Sequence, residues 1–486
     1  MASTIYFQAL KQVFCHYFEP SMLPKVNYNT YKPVSTLTLK GYMLVAGVRL
    51  LYALRRLLGK PLRQHILPNH HEDPLKMTLE EKLYLGQKYY YKAMIAPEAG
   101  ANTAAYFAQQ TLQFDVPKNF VPQQSITLSA GGDLIPYTSI NPQTTRELWA
   151  EAGDYFFGSD LVFANLETVA NPKAPYSAAP EVMLADMYFN IDAKTFDIFN
   201  GNGQYRGFDV LSTANNHSMD LGENGILATI EFLQERNIAY CGTANSDAAL
   251  HNFPILEVKG IKVAFLAYTY SLNKMRLPEN KPWLCNHICL NEPNPNLDLV
   301  VQQAAIARQK GADVIVASLH MGCAYQAYPG QTTMKHMHQI CAAANIDVLL
   351  GGHPHHAQPM EVYTHTHANA KTTQHLIVYS LGDFIAYDIF KWGHLPLLLK
   401  INLVQGLLDG KKHTQVVGLE AQPFFMWRQH NGQLMLRNFN KLRKAPIKSL
   451  GFTKAQQVEL AELCDFFDRF VMTPAQQNTL TNPQLG

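Results

Sequence analysis

The rhythm of apolar and polar positions changes near Val121. From Ser125 onward, short apolar runs each end in a cluster of polar side chains. These runs are SITLSAGGD (125–133), LVFANLE (161–167), FDVLSTANNH (208–217), ADVIVASLH (312–320), IDVLLGGHPH (346–355) and HLIVYSLGDF (375–384). Continuous runs of this length, rich in β-branched residues, predict strands buried on both faces. Between them stand stretches of helical period: GENGILATIEFLQERN (222–237), LDLVVQQAAIARQKG (297–311) and QTTMKHMHQICAAAN (331–345). FPILEVKGIKVAFLAYTY (253–270) predicts a hairpin turning at Lys259-Gly260, and LPLLLKINLV (395–404) a further strand. Strands alternating with helices predict an α/β domain.

Upstream of Val121 the chain reads as helical or irregular. GYMLVAGVRLLYALRRLLG (41–59) and MTLEEKLYLGQKYYYKAM (77–94) predict helices, the second opened by a capping box of Thr78 and Glu81. The Pro/Asn-rich PENKPWLCNHICLNEPNPN (278–296) predicts a long loop bordering a site. The organisation expected is an N-terminal extension over 1–120, a central domain over 121–425 and a helical C-terminal tail over 426–486, ending in the polar TNPQLG.

Composition narrows the function classes. Hydrophobic residues make up 47% of the 486, enough for a substantial core, so disorder does not describe the whole. Forty basic against thirty-eight acidic residues leave a net charge of +2, without the basic excess of a nucleic-acid surface. Seven scattered cysteines argue against a disulfide framework and for a reducing compartment. MASTIYFQALKQVFCHYFEP (1–20) lacks the basic and apolar regions of a secretory signal. The apolar run of 41–59 stops after eight residues at Arg49, short of the roughly 20 a membrane span needs. A cytoplasmic location is therefore expected. With Lys40, Arg49, Arg55 and Arg56, the 41–59 segment fits a basic amphipathic helix on a membrane surface, or a helix packed on the main domain with its arginine stems along apolar surface. The packed helix is the reading adopted.

The candidate chemistry lies where the strands end. Asp133, then Asn165 and Glu167, then Asn215, Asn216 and His217, then His320, then His353 and His355 all close apolar runs. Ligands gather beyond the carboxyl ends of strands in α/β sheets. Nine of the nineteen histidines fall between His320 and His375. Mixed Asp, Glu, Asn and His donors favour a hard or borderline divalent ion such as Mn²⁺, Fe²⁺ or Zn²⁺ over a thiolate site. The chemistry that uses such donors is metal-assisted hydrolysis, often with two ions about 3.5–4 Å apart.

The ordered set GGD (131–133), NLE (165–167), ANNHSMD (214–220), SLH (318–320), GGHPH (351–355) and YSLGDF (379–384) resembles the CapA family of poly-γ-glutamate capsule biosynthesis, within the calcineurin-like metallophosphatase superfamily. The resemblance covers about residues 125–390. It implies a four-layer α/β/β/α sandwich with two mixed sheets, flanked here by helical extensions, and a dinuclear metal centre. Carried over by position, Asp133 would bind one metal and Glu167 would be shared. Asn216, His320 and His353 would bind the second metal, and His355 would return to the first. His217 would act on substrate without binding metal, oriented by Asp220.

Two positions depart from the pattern. Ile135 stands where the superfamily adds a histidine, which thins the shell of the first metal to Asp133, Glu167 and His355. Asp383 stands where relatives carry asparagine; the extra carboxylate rebuilds that shell or caps the next turn, and the cap is the reading adopted. Cys285 and Cys289 lack a second pair at zinc-finger spacing. His336 and His338 read as an exposed helix surface, His365 and His367 as a hairpin tip. SAGGDLIPYTS supports neither a dinucleotide loop nor a P-loop, and there is no Gly-x-Ser-x-Gly elbow.

The function expected is metal-dependent hydrolysis of a phosphoester in a small-molecule or polymer substrate. Amide hydrolysis of a γ-glutamyl chain uses the same donors. The alternative is a metal- and ligand-binding scaffold without turnover in a surface-polymer synthesis or export complex. His217 with Asn216 and Asp220 favours the enzyme; Ile135 favours the scaffold.

Overall fold

Two sheets lie face to face and carry helices on their outer sides. The computed structural model describes residues 38–183 and 187–480, so the readings made on residues 1–20 and on TNPQLG fall outside the described residues. The first sheet is built on β1 (Phe120–Leu134), which pairs antiparallel with β14 (Leu397–Leu408) and parallel with β2 (Leu161–Leu166). Beyond β2 lie β5 (Val210–Ser212) and β6 (Ala239–Cys241); beyond β14 lie β15 (Lys411–Arg428) and β16 (Leu434–Asn438). A short strand, β13 (Asp383–Ile385), pairs with the far end of β1.

The second sheet has the order β11 (Met360–Thr366), β12 (Thr372–Val378), β10 (Val348–Gly352), β9 (Val314–His320), β8 (Ile261–Thr269), β7 (Ile255–Val258). Its four inner strands are parallel and almost wholly buried, as their continuous apolar runs predict. The β7–β8 hairpin turns at Lys259 and Gly260, both with positive φ (48° and 75°), the geometry of a tight hairpin whose twist matches its strands. A minor two-stranded pair, β3 (Val169–Ala170) and β4 (Asn190–Ile191), follows β2.

The inner faces meet through stacked rings, with Phe163 of β2 over Phe265 of β8 at 5.8 Å. Outside the first sheet, α4 (Gly153–Phe157), α5 (Ala193–Phe199) and α6 (Gly222–Gln234) enclose Trp149, Phe156, Phe196 and Phe232. Outside the second lie α7 (Asp298–Gln309) and α8 (Gln331–Ala344); Tyr268 of β8 donates to Gln303 of α7 at 2.7 Å. The layers together form an α/β/β/α sandwich. Strand structure continues past residue 425 through β16, and helices resume at Phe439.

Both ends of the chain pack on this body. The N-terminal segment forms α1 (Leu39–Leu57), α2 (Leu79–Gly86) and α3 (Thr103–Gln109). Thr78 and Glu81 close the expected capping box on α2, which runs on into a π turn, Gln87–Tyr91. Helix α1 docks through Gly41, Val45 and Tyr52, whose hydroxyl donates to the Leu83 carbonyl at 2.7 Å. Its opposite face exposes Leu39, Met43, Leu50, Leu54 and Leu57 at helical spacing. Among the described residues, no helix is long and apolar enough to cross a membrane.

At the other end, α9 (Phe439–Lys444), α10 (Lys454–Phe466) and α11 (Pro474–Thr479) follow the sheet. Helix α10 is bound to the segment before β14 by two buried ion pairs, Glu462 with Lys391 and Glu459 with His394. His394 donates from Nδ1 to Glu459 at 2.7 Å and from Nε2 to the Asp388 carbonyl at 3.0 Å.

Burial works against charge on His394, but Glu459, and then Asp388, outweigh it and raise its pKa above 6.5. Because the folded value exceeds the unfolded one, this stabilisation is complete below 6.5 and is lost as pH rises through the folded value. Warming curves taken at about pH 6 and about pH 8 should show a larger fall in Tm for the wild type than for His394→Gln. An equal fall in both proteins refutes the coupling.

Candidate metal centre

The strands of both sheets end on one buried spot. Asp133 closes β1, Glu167 follows β2, His320 closes β9, and His353 follows β10. One donor atom from each of Asp133, Glu167 and His320 lies within 4.8 Å of the other two, and all three residues are buried. His320 Nε2 faces Asn216 Oδ1 at 2.9 Å and Glu167 Oε1 at 3.6 Å. The His320 and His353 rings are 5.1 Å apart, and those of His353 and His355 5.9 Å. Asp133, Glu167, Asn216, His320, His353 and His355 are thus brought together, with His217 at the rim.

Two close approaches make this convergence possible. A side chain at Gly132 would sit 1.8 Å from the Gly382 carbonyl oxygen, and one at Gly352 would sit 2.6 Å from Asp133 Oδ1. Glycine lets β1, β10 and the turn before β13 crowd the same carboxylate. Asp133 is held by the backbone N–H of His353 at 2.9 Å and the side-chain amide of Asn165 at 2.8 Å. His353 and His355 both take positive φ, 94° and 63°, which turns two residues of one tight loop into the site. For non-glycine residues such backbone costs of order 1–3 kcal/mol each, and it persists only where surrounding contacts impose it.

Other polar groups are used inside the cluster. Asn165 donates to Asp133, and Asn215 donates to Asn165 Oδ1 at 3.3 Å and to the Leu166 carbonyl at 2.7 Å. These amides hold the strand ends, with the Asn165 amide nitrogen also 3.4 Å from His320 Nδ1. His217 donates from Nδ1 to Asp220 Oδ2 at 2.6 Å and stacks on Phe189 with ring centres 4.1 Å apart. Asp220 also accepts the Phe189 N–H at 2.6 Å, so ring and carboxylate are locked together. Ile135 lies fully buried in the apolar layer with Leu134 and Phe384.

Two expectations need correction. Asp383 does not cap the following turn. It sits opposite Asp133 in the β1–β13 ladder, and its Oδ1 accepts from His355 Nδ1 at 3.0 Å, while the His355 ring stacks on Tyr325. His336 and His338 are not an exposed surface. His336 is buried and contacts the Leu290 and Pro293 carbonyls, because the 278–296 loop folds over α8; His338 is held by Glu361 at 2.7 Å.

The electrostatics of the cluster are those of buried, under-compensated charge. Burial raises the pKa of Asp133; burial and then Asp133 raise that of Glu167 and of Asp383 well above the ordinary range. Burial, and then the neighbouring imidazoles, hold His320 well below 6.5; burial also depresses His353 and His355. Both carboxyl oxygens of Glu167 and Nδ1 of His353 are buried with no hydrogen-bond partner among the described residues. Acceptor-only atoms left bare in this way, among oxygen and imidazole donors, fit a divalent cation of hard or borderline character.

Glu72 is a site residue that the sequence pattern did not single out. It reaches the centre from the N-terminal segment, its Oε1 3.6 Å from His353 Nε2, and is paired with the fully buried Lys88 at 2.9 Å. Tyr270 adds a hydroxyl 3.0 Å from the same nitrogen. The only local signal was a polar cluster, HHEDP (70–74), in a segment without strand periodicity.

Residues 127–388, more than half of the chain, match the family model described as "Bacterial capsule synthesis protein PGA_cap". The capsule biosynthesis protein CapA of Bacillus anthracis is 25% identical over 329 residues, covering 64% of this chain and 73% of that protein. The PGA biosynthesis protein CapA of Bacillus subtilis strain 168 is 25% identical over 232 residues, covering 47% of this chain and 54% of that protein. Among solved structures, the calcineurin-like phosphoesterase YfkN of Bacillus subtilis aligns over 71% of this chain and all of that one, at 14% identity and a TM-score of 0.34. A 5'-nucleotidase precursor from Thermus thermophilus aligns over 71% of this chain and 59% of that one, at 13% identity and a TM-score of 0.33.

Adding a methyl group at Gly352 tests the crowding around Asp133. Gly352→Ala should push the Asp133 carboxylate from its bonds to His353 and Asn165 and destabilise the fold by about 1–3 kcal/mol, read from urea unfolding. An unchanged midpoint would show that the approach of β10 to β1 is not constrained there.

Proposed function

Because the chain belongs to the PGA_cap family of bacterial capsule synthesis proteins, we propose that it is a metal-dependent hydrolase of surface-polymer synthesis, acting on a phosphoester bond. The observation that carries this reading is Glu167, fully buried with both oxygens bare between Asp133 and His320. Asp133, Glu167 and His355 would hold one divalent ion, and Asn216, His320 and His353, with Glu167 shared, a second. Manganese, iron or zinc bound there supplies Lewis acidity toward a phosphoryl group. His217 works beside this centre. Its Nδ1–H is fixed on Asp220, which leaves Nε2 at the rim to bind a substrate oxygen or to deliver a proton to a leaving group.

A scaffold that binds metal and ligand without turnover is the second reading, favoured by Ile135. That side chain is spent in the apolar layer and gives the first metal position nothing. Amide hydrolysis of a γ-glutamyl chain would use the same donors. A reducing compartment, the cytoplasm, fits the free cysteines among the described residues. For its partner surface we take the exposed stripe of α1. Leu39, Met43, Leu50, Leu54 and Leu57, with Arg56 and Lys60 exposed nearby, suit peripheral attachment to an anionic lipid surface.

Two variants separate enzyme from scaffold. His353→Ala should lose bound metal, measured by elemental analysis, and melt lower, since bound metal stabilises the native state by mass action. His217→Ala should keep both metal and Tm while its turnover of phosphoester substrates falls about 10²–10⁴-fold. Equal metal loss in the two variants contradicts the role of His217. A metal-loaded wild type without turnover on phosphomonoesters and phosphodiesters gives way to the scaffold.

The α1 stripe has its own test. Wild-type protein should sediment with phosphatidylserine vesicles, and Leu50→Glu with Leu54→Glu should release it without lowering Tm, since both side chains are exposed. A protein that stays in the supernatant with these vesicles overturns the attachment.

A further inference from the structure

The geometry points to Glu72 as a positioning residue for His353, so that the N-terminal segment completes the centre from outside the family-matched residues. This inference rests on the metal reading above. Glu72 lies outside residues 127–388. Its backbone is left-handed (φ 51°), and its carbonyl oxygen accepts from the Tyr270 hydroxyl at 3.2 Å. One carboxyl oxygen accepts the Ala324 N–H at 2.8 Å; the other takes Lys88 Nζ at 2.9 Å and lies 3.5 Å from His70 Nε2. Glu72 is thereby immobile, and its Oε1 lies 3.6 Å from His353 Nε2.

The hydrogen-bond directions then choose the histidine tautomer. Tyr270 has one proton, and it goes to the Glu72 carbonyl; its oxygen is left to accept from His353 Nε2, 3.0 Å away. A proton on Nε2 leaves the Nδ1 lone pair bare, and Nδ1 is the buried atom without a partner. The Glu72 carboxylate beside Nε2–H favours the same tautomer and makes Nδ1 a better donor. Carboxylates behind metal-binding histidines act in this way. His355 has a parallel arrangement, with Asp383 on its Nδ1, so the two imidazoles of the GGHPH loop are backed by one carboxylate from the N-terminal segment and one from β13.

Lys88 is fully buried, so removing Glu72 alone strands its charge. The test is therefore Glu72→Gln with Lys88→Met, which removes the pair as a unit, beside Tyr270→Phe. Metal-stripped full-length proteins are titrated with Mn²⁺ by calorimetry, and their Tm is taken without metal. The expected result is Mn²⁺ affinity about 10–100-fold weaker in the double variant at nearly unchanged metal-free Tm. A double variant that folds and binds Mn²⁺ like the wild type overturns the role of Glu72 and leaves the metal centre standing. A wild type that binds no Mn²⁺, Fe²⁺ or Zn²⁺ overturns the centre, and this inference with it. If the double variant unfolds, Tyr270→Phe decides: weaker Mn²⁺ binding supports the tautomer argument, and wild-type binding refutes it.

Discussion

A carboxylate with no access to water and no donor of its own is the constraint around which this protein is arranged. Glu167 lies at the end of β2, fully buried, its oxygens facing Asp133 and His320 and nothing that donates to them. Taking such a group out of water costs several kcal/mol even after relaxation, unless an opposite charge or hydrogen bonds repay it. Asp133 and Asp383 stand opposite each other in adjacent strands nearby, and burial pushes both toward the neutral form, with repulsion from Asp133 adding to the effect at Asp383. Burial lowers the pKa of the imidazoles around them, which disfavours their taking up the opposite charge as protons. A cation is the economical solution. The features that look costly in isolation, two left-handed histidines and glycines pressed against carbonyl and carboxyl oxygens, are what bring enough donors to one point.

The sandwich explains why no single sheet suffices. The first sheet delivers Asp133, Glu167 and Asn216, all oxygen donors; the second delivers His320, His353 and His355, all nitrogen donors. The centre sits where the two sets of strand ends meet, with the stacking of Phe163 on Phe265 among the contacts between the inner faces of the sheets. Flanking segments brace this junction from both sides. Glu72, paired with Lys88, approaches His353 from the N-terminal segment, while α10 grips Lys391 and His394, in the segment that also carries Asp388. Tyr89 of the N-terminal segment donates to that Asp388 at 2.8 Å, which ties the two braces together beneath Tyr325 and His355.

Much of this was legible before any coordinate, because strand-end donors carry a local pattern. An apolar run followed at once by Asp, Asn or His announces both the strand and its exit, and parallel strands all exit on one side. The hairpin at Lys259-Gly260 and the capping box at Thr78 are equally local. Pairings across long stretches of sequence leave no such mark. Glu72 meets His353 only because an irregular segment lies across the second sheet. His336 is buried only because a distant proline-rich loop covers its helix. The register of β13 on β1 placed Asp383 against His355, and neither strand advertises that register in its composition. Helix α1 packs on the body as expected, but its period fitted packing and surface attachment alike, and the structure gives one face to packing and leaves the leucine stripe to solvent.

What favours catalysis over mere binding is the cost invested at His217. Its ring is sandwiched on Phe189, and its Nδ1 is fixed by Asp220, whose other bond goes to the Phe189 backbone, so ring, carboxylate and stacking partner form one rigid unit. None of these contacts reaches the donor cluster that would hold metal. A module that only captures a ligand gains little from freezing one imidazole in one tautomer at the rim, because a mobile donor binds an anion almost as well. Proton delivery is different, since the rate depends on holding the nitrogen within hydrogen-bond reach of the oxygen that leaves. In the proposed two-ion arrangement, Ile135 would leave one metal position with a thin shell, and its side chain lies in the apolar layer, away from this dyad. The dyad therefore supports the proposed hydrolase over the scaffold, and in that reading Ile135 would bear on how many ions assist it.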